Sequence, residues 1–438
     1  MTTANVIRTT TDHPETKVAE TEAGYDRSYY RYWRIRIMYA TIVGYAAYYL
    51  VRQNFSLAMP GIGEEFGYTK TDLGLIVSIA SVVYGAGKFL NGFFSDRSNA
   101  RYFMTIGLVG SAFMNMFMGL GAGFTFFATF WVLNSWFQSM GWPPSARMIT
   151  HWFSPKELGF KWSLWASSHQ IGAAAISMLG GWLIANYGWR SVFYVPALFA
   201  LLLALFILDR LRDTPKKVGL PPVEHYKGDG ETVESSEQRI TSKEIWSIVL
   251  RNKYVWYMGF ANMCLYIPRM GIFTWAPTFL KEYKSVTIVV AGMQLAAFEI
   301  AGLFGGMIAG ILSDKLFQGR RGPVGMVFLI LLSFFLVLVW WLPAGHAVLD
   351  ALLLMMAGFM VYGPQVLAGV AVADFTSKRA IGVATGVIGV LGSIGTAVSG
   401  IGIGYIVDNH GWDYGFLLFV IASLVGAVFF ALTMKRKA

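Results

Sequence analysis

The sequence predicts an all-α membrane protein of twelve transmembrane helices in two pseudo-symmetric six-helix bundles. Three observations carry this expectation. Of 438 residues, 55% are apolar and 14% charged, whereas soluble chains carry about 25% charged residues. Apolar runs of about 20 residues, enough to cross a bilayer as a helix, recur twelve times. Motifs of the first half return in the second at a nearly constant offset.

The spans are expected at 35–59, 72–94, 102–122, 124–151, 160–186, 190–209, 254–280, 287–312, 323–342, 347–374, 380–406 and 413–434. Residues 1–30 are polar and Thr-rich, without a short apolar core and cleavage site, so no cleaved signal peptide is expected. They read as a mobile cytoplasmic tail. The first half then occupies 31–209 and the second 254–434, with 435–438 as the cytoplasmic C-terminus. The connector between them, 210–253, contains "DGETVESSEQR" and reads as a flexible linker.

Lysine and arginine set the orientation. One set of loops holds Arg97 and Arg101; Lys156 and Lys161; Arg210, Arg212, Lys216 and Lys217; Lys315, Arg320 and Arg321; Lys378 and Arg379. The opposite set holds only Lys70, Arg190, Lys281 and Lys284. The positive-inside rule puts the first set and both termini in the cytoplasm of a multi-pass inner-membrane protein. The formal charge of +10 therefore points to the lipid bilayer and not to nucleic acid, because the basic residues form no single patch. Cys264 is the only cysteine, which excludes an intrachain disulfide.

"GFFSDRSNAR" ends the second span and "GILSDKLFQGRR" the eighth, with Asp96 and Asp314 separated by 218 positions. "NYGWRSVF" opens the sixth span and "NHGWDYGF" the twelfth, with Trp189 and Trp412 separated by 223. Two six-helix halves in one orientation imply a pseudo-twofold along the membrane normal, an arrangement of alternating-access carriers.

The charges inside the spans obey the same repeat. Arg52 in "YYLVRQNF" has its mate in Arg269 of "LYIPRMG", 217 positions later. Tyr45 and Tyr49 precede Arg52 on its helix face, and Asn262 and Tyr266 precede Arg269 at the same spacings. A lone arginine there would read as snorkelling toward headgroups, with the tyrosines as an aromatic belt. Two symmetric ones with matching stripes read as a site between the halves. Lys88, His169 and Glu299 are further intramembrane ionisable groups, functional candidates by default. Lys88 and His169 read either as substrate contacts or as structural hydrogen bonders. Glu299 reads as a neutralising partner for one of the cations.

The centre is thus net positive, and a cation-lined cavity of low dielectric selects anions. Two guanidinium groups offer paired planar donors for phosphate or carboxylate oxygens. A phosphate monoester, largely dianionic at pH 7 because its second pKa is near 6, matches two such charges better than a monocarboxylate. An empty site leaves both arginines uncompensated, so the expected behaviour is obligatory exchange of one phosphate compound for another.

Other signals have plainer readings. "GAGK" at 85–88 lacks the earlier Gly and the following Ser or Thr of a nucleotide-binding loop, having Val82 and Phe89 there. ATP is excluded, and no metal or other cofactor is expected. Glycine-rich runs in the eighth and eleventh spans serve close helix approach. Pro143 and Pro144 are expected inside the fourth span, as a mobile kink or a static bend, with Trp142 lining the cavity or packing. Asp96, Arg97, Arg101, Asp314, Arg320 and Arg321 read as conformational groups, the aspartates pairing with nearby arginines or capping helix ends.

"SDRSNAR" between the second and third spans resembles the signature loop of the major facilitator superfamily. "GYAAYYLVRQNFSLAMP", "MGWPP" and "RDTPKKVGLPPVEHYKGD" resemble its organophosphate:phosphate antiporter family, over about residues 27–435. The resemblance implies the major facilitator fold and a secondary antiporter; the expected working unit is a monomer. It also implies that Arg52 and Arg269 bind phosphate, that Lys88 and His169 assist, and that Tyr45, Tyr49, Tyr266 and Tyr362 line the site. Glycerol-3-phosphate carriers carry Asn and Tyr where this chain has Ala166 and Ser393. "FEIAG" and "YGPQVLAGVAVADF" look more like the hexose-phosphate branch, although the charged pair of one carrier type there is replaced by Thr385 and Ile388. "YRYWRIR", "SDRSNARYFM" and "GVATGVIG" resemble the branch of membrane sensors of hexose phosphate. The expected activity is exchange of a hexose 6-phosphate for inorganic phosphate, with glycerol 3-phosphate or a sensing role as the alternatives.

Overall fold

The computed structural model describes residues 26–121, 123–227, 242–376 and 380–436. Residues 1–25 of the expected tail, the "DGETVESSEQR" stretch, Lys378 and Arg379 lie outside the described residues, whereas residues 26–30, also expected in the tail, cap and open the first helix, with Tyr30 buried. The first half contains α1 (Arg27–Leu50), α2 (Asn54–Phe66), α3 (Lys70–Arg97), α4 (Ala100–Leu120), α5 (Phe124–Gln138), α6 (Trp142–Trp152), α7 (Pro155–Ala166), α8 (Ser168–Tyr187) and α9 (Ser191–Arg210). Two short helices follow, α10 (Val223–Lys227) and α11 (Ser242–Arg251). The second half contains α12 (Lys253–Glu282), α13 (Ile288–Lys315), α14 (Arg321–Trp341), α15 (Ala347–Phe375), α16 (Ile381–Ala397), α17 (Ile403–His410) and α18 (Trp412–Ala431). No strand occurs among the described residues.

Eight of the helical segments are long and apolar enough to cross a membrane. The remaining four spans are the ones the sequence shows as ordinary runs but whose helices are divided or polar. The first divides into α1 and α2 at Val51–Gln53, the fourth into α5 and α6, and the fifth into α7 and α8. The seventh, α12, runs 30 residues unbroken. Phe89 and Trp341 are 82% and 75% exposed, which suits side chains whose solvent is hydrocarbon.

Capping explains several ends. Thr69 and Asp72 form a capping box at the start of α3, and Thr287 caps α13. Gly188 and Gly411, repeat mates, both take positive φ, 79° and 85°. An L side chain is strained there, so each glycine turns the chain into the sixth and twelfth spans just before Trp189 and Trp412.

The two halves pack alike. In the first, α4 lies against α5 and α9, α3 against α5, and α1 against α8 and α9. In the second, α14 lies against α15 and α18, α13 against α15, and α12 against α16 and α18. The halves meet through α8 on α13, α3 on α16 and α17, and α2 on α12. Ion pairs between halves, among the described residues, lie only at the end remote from the termini: Lys70–Glu282 at 3.1 Å and Lys281–Glu64 at 2.6 Å. At the termini end the ion pairs stay within each half, as in Arg34–Glu157, Arg147–Asp213 and Arg321–Asp374. The halves are thus joined at the far end, and among the described residues no ion pair joins them at the termini end.

Two expectations change. The connector is not loose from residue 210 onward, because residues 211–227 fold onto the first half. Trp152 donates to the carbonyl of Arg212 at 3.0 Å, Tyr226 stacks on Tyr30 at 4.1 Å, and Lys227 pairs with Glu157 at 3.3 Å. Pro143 and Pro144 are not a kink within a helix. They open α6, where a missing N–H removes no intrahelical bond.

Candidate substrate-binding site

Arg52 sits in the break of the first span, and the break has identifiable supports. Carbonyls freed where a helix stops are costly in hydrocarbon unless captured. The Val51 carbonyl accepts from Asn115 Nδ2 at 3.0 Å and Asn134 Nδ2 at 3.1 Å. The Tyr48 carbonyl accepts from Gln138 Nε2 at 3.0 Å. Asn54, the first residue of α2, donates to Asn115 Oδ1 at 2.6 Å and to the Val192 carbonyl at 3.0 Å. Four amides from the first, third and fourth spans thus hold the break open.

From it, the Arg52 guanidinium carbon lies 4.1 Å from the centre of the Tyr84 ring and 5.4 Å from that of Tyr49. Lys88 Nζ is 5.0 Å from the same Tyr84 ring and 5.6 Å from Trp142. Tyr84 is therefore shared by two cations, and the sequence reading did not single it out. The signal was present: Tyr84 precedes Lys88 by four residues, on one face of α3.

Arg269 is buried in unbroken α12, its guanidinium carbon 4.9 Å from the Tyr362 ring and 5.3 Å from that of Tyr266. Its Nη2 lies 3.5 Å from the Tyr362 hydroxyl, which in turn donates to Glu299 Oε2 at 2.6 Å. Glu299, expected as a neutralising partner for one of the cations, is linked to Arg269 by hydrogen bonds through this phenol. The His169 ring lies between the two sets, 5.7 Å from the Tyr49 ring and 6.0 Å from the Tyr362 ring. Its Nδ1 meets the Ala166 carbonyl, and its Nε2 has no partner among the described residues. The row Lys88, Tyr84, Arg52, Tyr49, His169, Tyr362, Arg269 therefore crosses from one half to the other. No carboxylate forms an ion pair with Arg52, Lys88 or Arg269 among the described residues.

The remaining residues fall around this row. Tyr45 packs on Trp165 at 4.8 Å and on Tyr49 at 5.8 Å. Asn262 donates to the Ile388 carbonyl at 3.0 Å, which ties the seventh span to the eleventh and occupies a donor expected in the cavity. Trp142 is 39% exposed and meets Trp162 edge-on. Beyond Arg52, toward the far end, lies a cavity of about 70 Å³ lined by Gln53, Ser81, Thr274 and Thr396. Gln53 Nε2 donates across the halves to the Phe273 carbonyl at 2.6 Å and closes that side.

The loop groups also differ from expectation in one half. Asp314 pairs with Arg321, which also reaches Asp374 at 3.1 Å. Arg320 precedes α14 and its carbonyl accepts from Ser313 at 3.3 Å. The Asp96 side chain is exposed and has no ion pair among the described residues. Arg147 instead holds the end of α3, donating to the carbonyls of Ser95 and Asp96 at 2.8 Å and of Ser98 at 3.1 Å. Arg97 stacks on Phe93 at 3.4 Å, and Arg101 lies 5.1 Å from the Tyr102 ring.

The profile of the Major Facilitator Superfamily matches residues 41–399. The chain belongs to that superfamily. A probable hexose phosphate transport protein of Chlamydia pneumoniae is 40% identical over 415 residues, 92% of this chain and 91% of that one. The glycerol-3-phosphate transporter of Bacillus subtilis (strain 168) is 39% identical over 414 residues, 92% and 93%. The membrane sensor protein UhpC of Escherichia coli (strain K12) is 35% identical over 402 residues, 91% and 92%. These relatives put this major facilitator in the organophosphate:phosphate antiporter family. In fold it is similar to a bacterial homologue of the human lysosomal transporter Spinster in an inward-facing, occupied conformation. That chain has a TM-score of 0.74 and 16% identity, with 92% of this chain and 97% of that one covered. The protein is a multi-pass membrane transport protein and not an enzyme.

Proposed function

We propose that this major facilitator exchanges an organophosphate, foremost a hexose 6-phosphate, for inorganic phosphate across the cell inner membrane by alternating access. The observation that carries the reading is the row joining Arg52 to Arg269 through Tyr49, His169 and Tyr362, with no carboxylate among the described residues paired to either guanidinium. Unpaired guanidinium groups in a low-dielectric cavity are unfavourable until an anion arrives. A dianionic phosphoryl group gives both a partner, each arginine supplying planar paired donors. His169 and Lys88 add donors beside it, and Tyr45, Tyr49 and Tyr266 face the organic part. Loop lysines and arginines support a cytoplasmic position for both termini. The termini end, where no ion pair joins the halves among the described residues, then faces the cytoplasm; Lys88 is exposed, and phosphate enters past it toward the arginines.

Exchange follows from the same charge balance. The empty carrier holds uncompensated cations and crosses slowly between its two states, whereas either phosphate compound compensates them. One chain encloses the whole row, so a monomer suffices. Ala166 and Ser393 favour a hexose phosphate over glycerol 3-phosphate. The test is labelled phosphate exchange in proteoliposomes of the purified chain. Loaded vesicles should take up label and vesicles without internal phosphate should not; rapid uptake into empty vesicles overturns obligatory exchange. Competition by glucose 6-phosphate, glycerol 3-phosphate and phosphoglycerate ranks the substrates. Glucose 6-phosphate binding without any exchange favours the sensing role carried by the Escherichia coli relative's name.

A further inference from the structure

Between α16 and α17 the eleventh span widens into a π turn, Val398–Gly402, and the cause lies in the other half. In an α-helix the N–H of residue 401 would bond the carbonyl of residue 397. Here the Ser78 hydroxyl of α3 stands between them, donating to the Ala397 carbonyl at 2.7 Å and accepting from the Ile401 N–H at 2.8 Å. A side chain inserted into the backbone ladder is a recognised origin of such a turn. The approach needs bare backbone. A Cβ on Gly400 would lie 2.4 Å from Ser78 Oγ, and one on Gly74 would lie 2.5 Å from the Gly400 carbonyl oxygen.

The pseudo-symmetric junction of α8 with α13 has no such insertion. It is equally tight, since a Cβ on Gly292 would lie 2.2 Å from the Ser177 carbonyl oxygen. Yet the repeat mate of Ser78 is Ala296, which has no hydroxyl to insert, and α8, the mate of the eleventh span there, runs continuously from Ser168 to Tyr187. The insertion belongs to one junction only.

We propose that Ser78 is a removable plug in the eleventh span, seated while the far end is closed and withdrawn when it opens. Withdrawal leaves the Ile401 N–H and the Ala397 carbonyl to bond each other, which converts the wide turn to an α-helical one. That change turns α17 relative to α16. Asp408 of α17 caps the first turn of α3, accepting from the Lys70 and Thr71 N–H groups at 3.1 and 2.7 Å and from the Thr71 hydroxyl at 2.6 Å. Thr396 of α16 lines the cavity beyond Arg52. One backbone bond thus links release of the far-end cap to a change in the cavity wall. The recurring cost of freeing two backbone groups is avoided, because each becomes the partner of the other.

This proposal rests on the reading of the chain as an alternating-access carrier. Its test needs no substrate. Nitroxide labels at the exposed repeat mates Asn186 and Asn409, in a Cys264→Ala background, report the far-end separation of the halves by pulsed electron resonance. Ser78→Ala should raise the ratio of long to short distances about tenfold, the weight of one buried hydrogen bond. Gly400→Ala, which fills the seat of the plug from the opposite helix, should do the same, and it serves if Ser78→Ala fails to fold. Distance distributions that match the parent protein overturn the proposal. Loss of phosphate exchange in the parent protein would bear on the preceding reading alone.

Discussion

The two arginines of the candidate site occupy mated positions and are held by opposite means. Arg52 leaves a broken helix whose freed carbonyls are captured by amides from two other spans, and its guanidinium rests on aromatic faces. Arg269 leaves an unbroken helix, and its guanidinium meets a phenol anchored by a buried carboxylate. In the first half the backbone is fixed, whereas in the second the fixed element is a side-chain chain of contacts. Sequence symmetry sets where the charges lie but leaves each half free to support its own.

A second pair makes the same point at the far end. Trp189 donates to Glu65 at 2.8 Å and Trp412 to Glu282 at 3.2 Å. After Trp189 comes Arg190, which pairs with Glu65 at 2.5 Å within its half. After Trp412 comes Asp413, which cannot pair with Glu282, and Glu282 binds Lys70 of the opposite half at 3.1 Å. A single change of sign turns an internal clasp into a bridge between halves.

These contrasts can be broken in order of size. Arg52→Lys and Arg269→Lys should each lower the initial rate of labelled phosphate exchange by about 100-fold, because a point charge lacks the paired donors. Near-normal exchange in both would remove the clamp. Asn115→Leu removes the hub of the amide cluster and should raise the half-saturating phosphate concentration about tenfold, one to two hydrogen bonds' worth. An unchanged value would show that the break holds itself. Tyr362→Phe cuts only the phenol between Glu299 and Arg269, and a rise of about fivefold is expected in the same assay. If it exceeds the Asn115 effect, the ranking of the two supports reverses.

The smallest effect concerns the clasp of the first half. Hydrogen bonds from Arg190 and Trp189 hold the Glu65 carboxyl down at about 2, below its ordinary 4.5. A depressed folded-state pKa means that this support is complete above the ordinary carboxylate range. It is lost as pH falls from there through about 2. Glu65→Gln should therefore lower Tm by about 1 °C at neutral pH, the scale of an exposed pair. Scanning fluorimetry should show that gap constant from pH 8 to about 5 and narrowing below. A gap that widens on acidification has the wrong sign for this clasp.

Much of the site was legible because charge in an apolar span stands out. Arg52, Lys88, His169, Arg269 and Glu299 are ionisable groups where hydrocarbon is expected, and the repeat pairs two of them. The amides were as visible in the spans, at Asn54, Asn115, Asn134 and Gln138, but uncharged groups gave no sign of a common target. Their target is a carbonyl, which every residue has. Tyr84 was one of 21 tyrosines until two cations were seen to share its ring.

The sequence by itself determined the twelve spans, the two halves and the symmetric placing of the arginines. Apolar run length, repeat offset and the desolvation of charge are properties of the chain read in one dimension. The tertiary structure decided that the first span breaks at Arg52 while the seventh does not, and that Glu299 acts through Tyr362. It also decided that Ser78 opens a turn in a helix more than 300 positions away. The first and last of these depend on which group meets a backbone carbonyl or N–H across the fold, and backbone groups are identical at every position until packing selects one; the second depends on which side chains packing brings together.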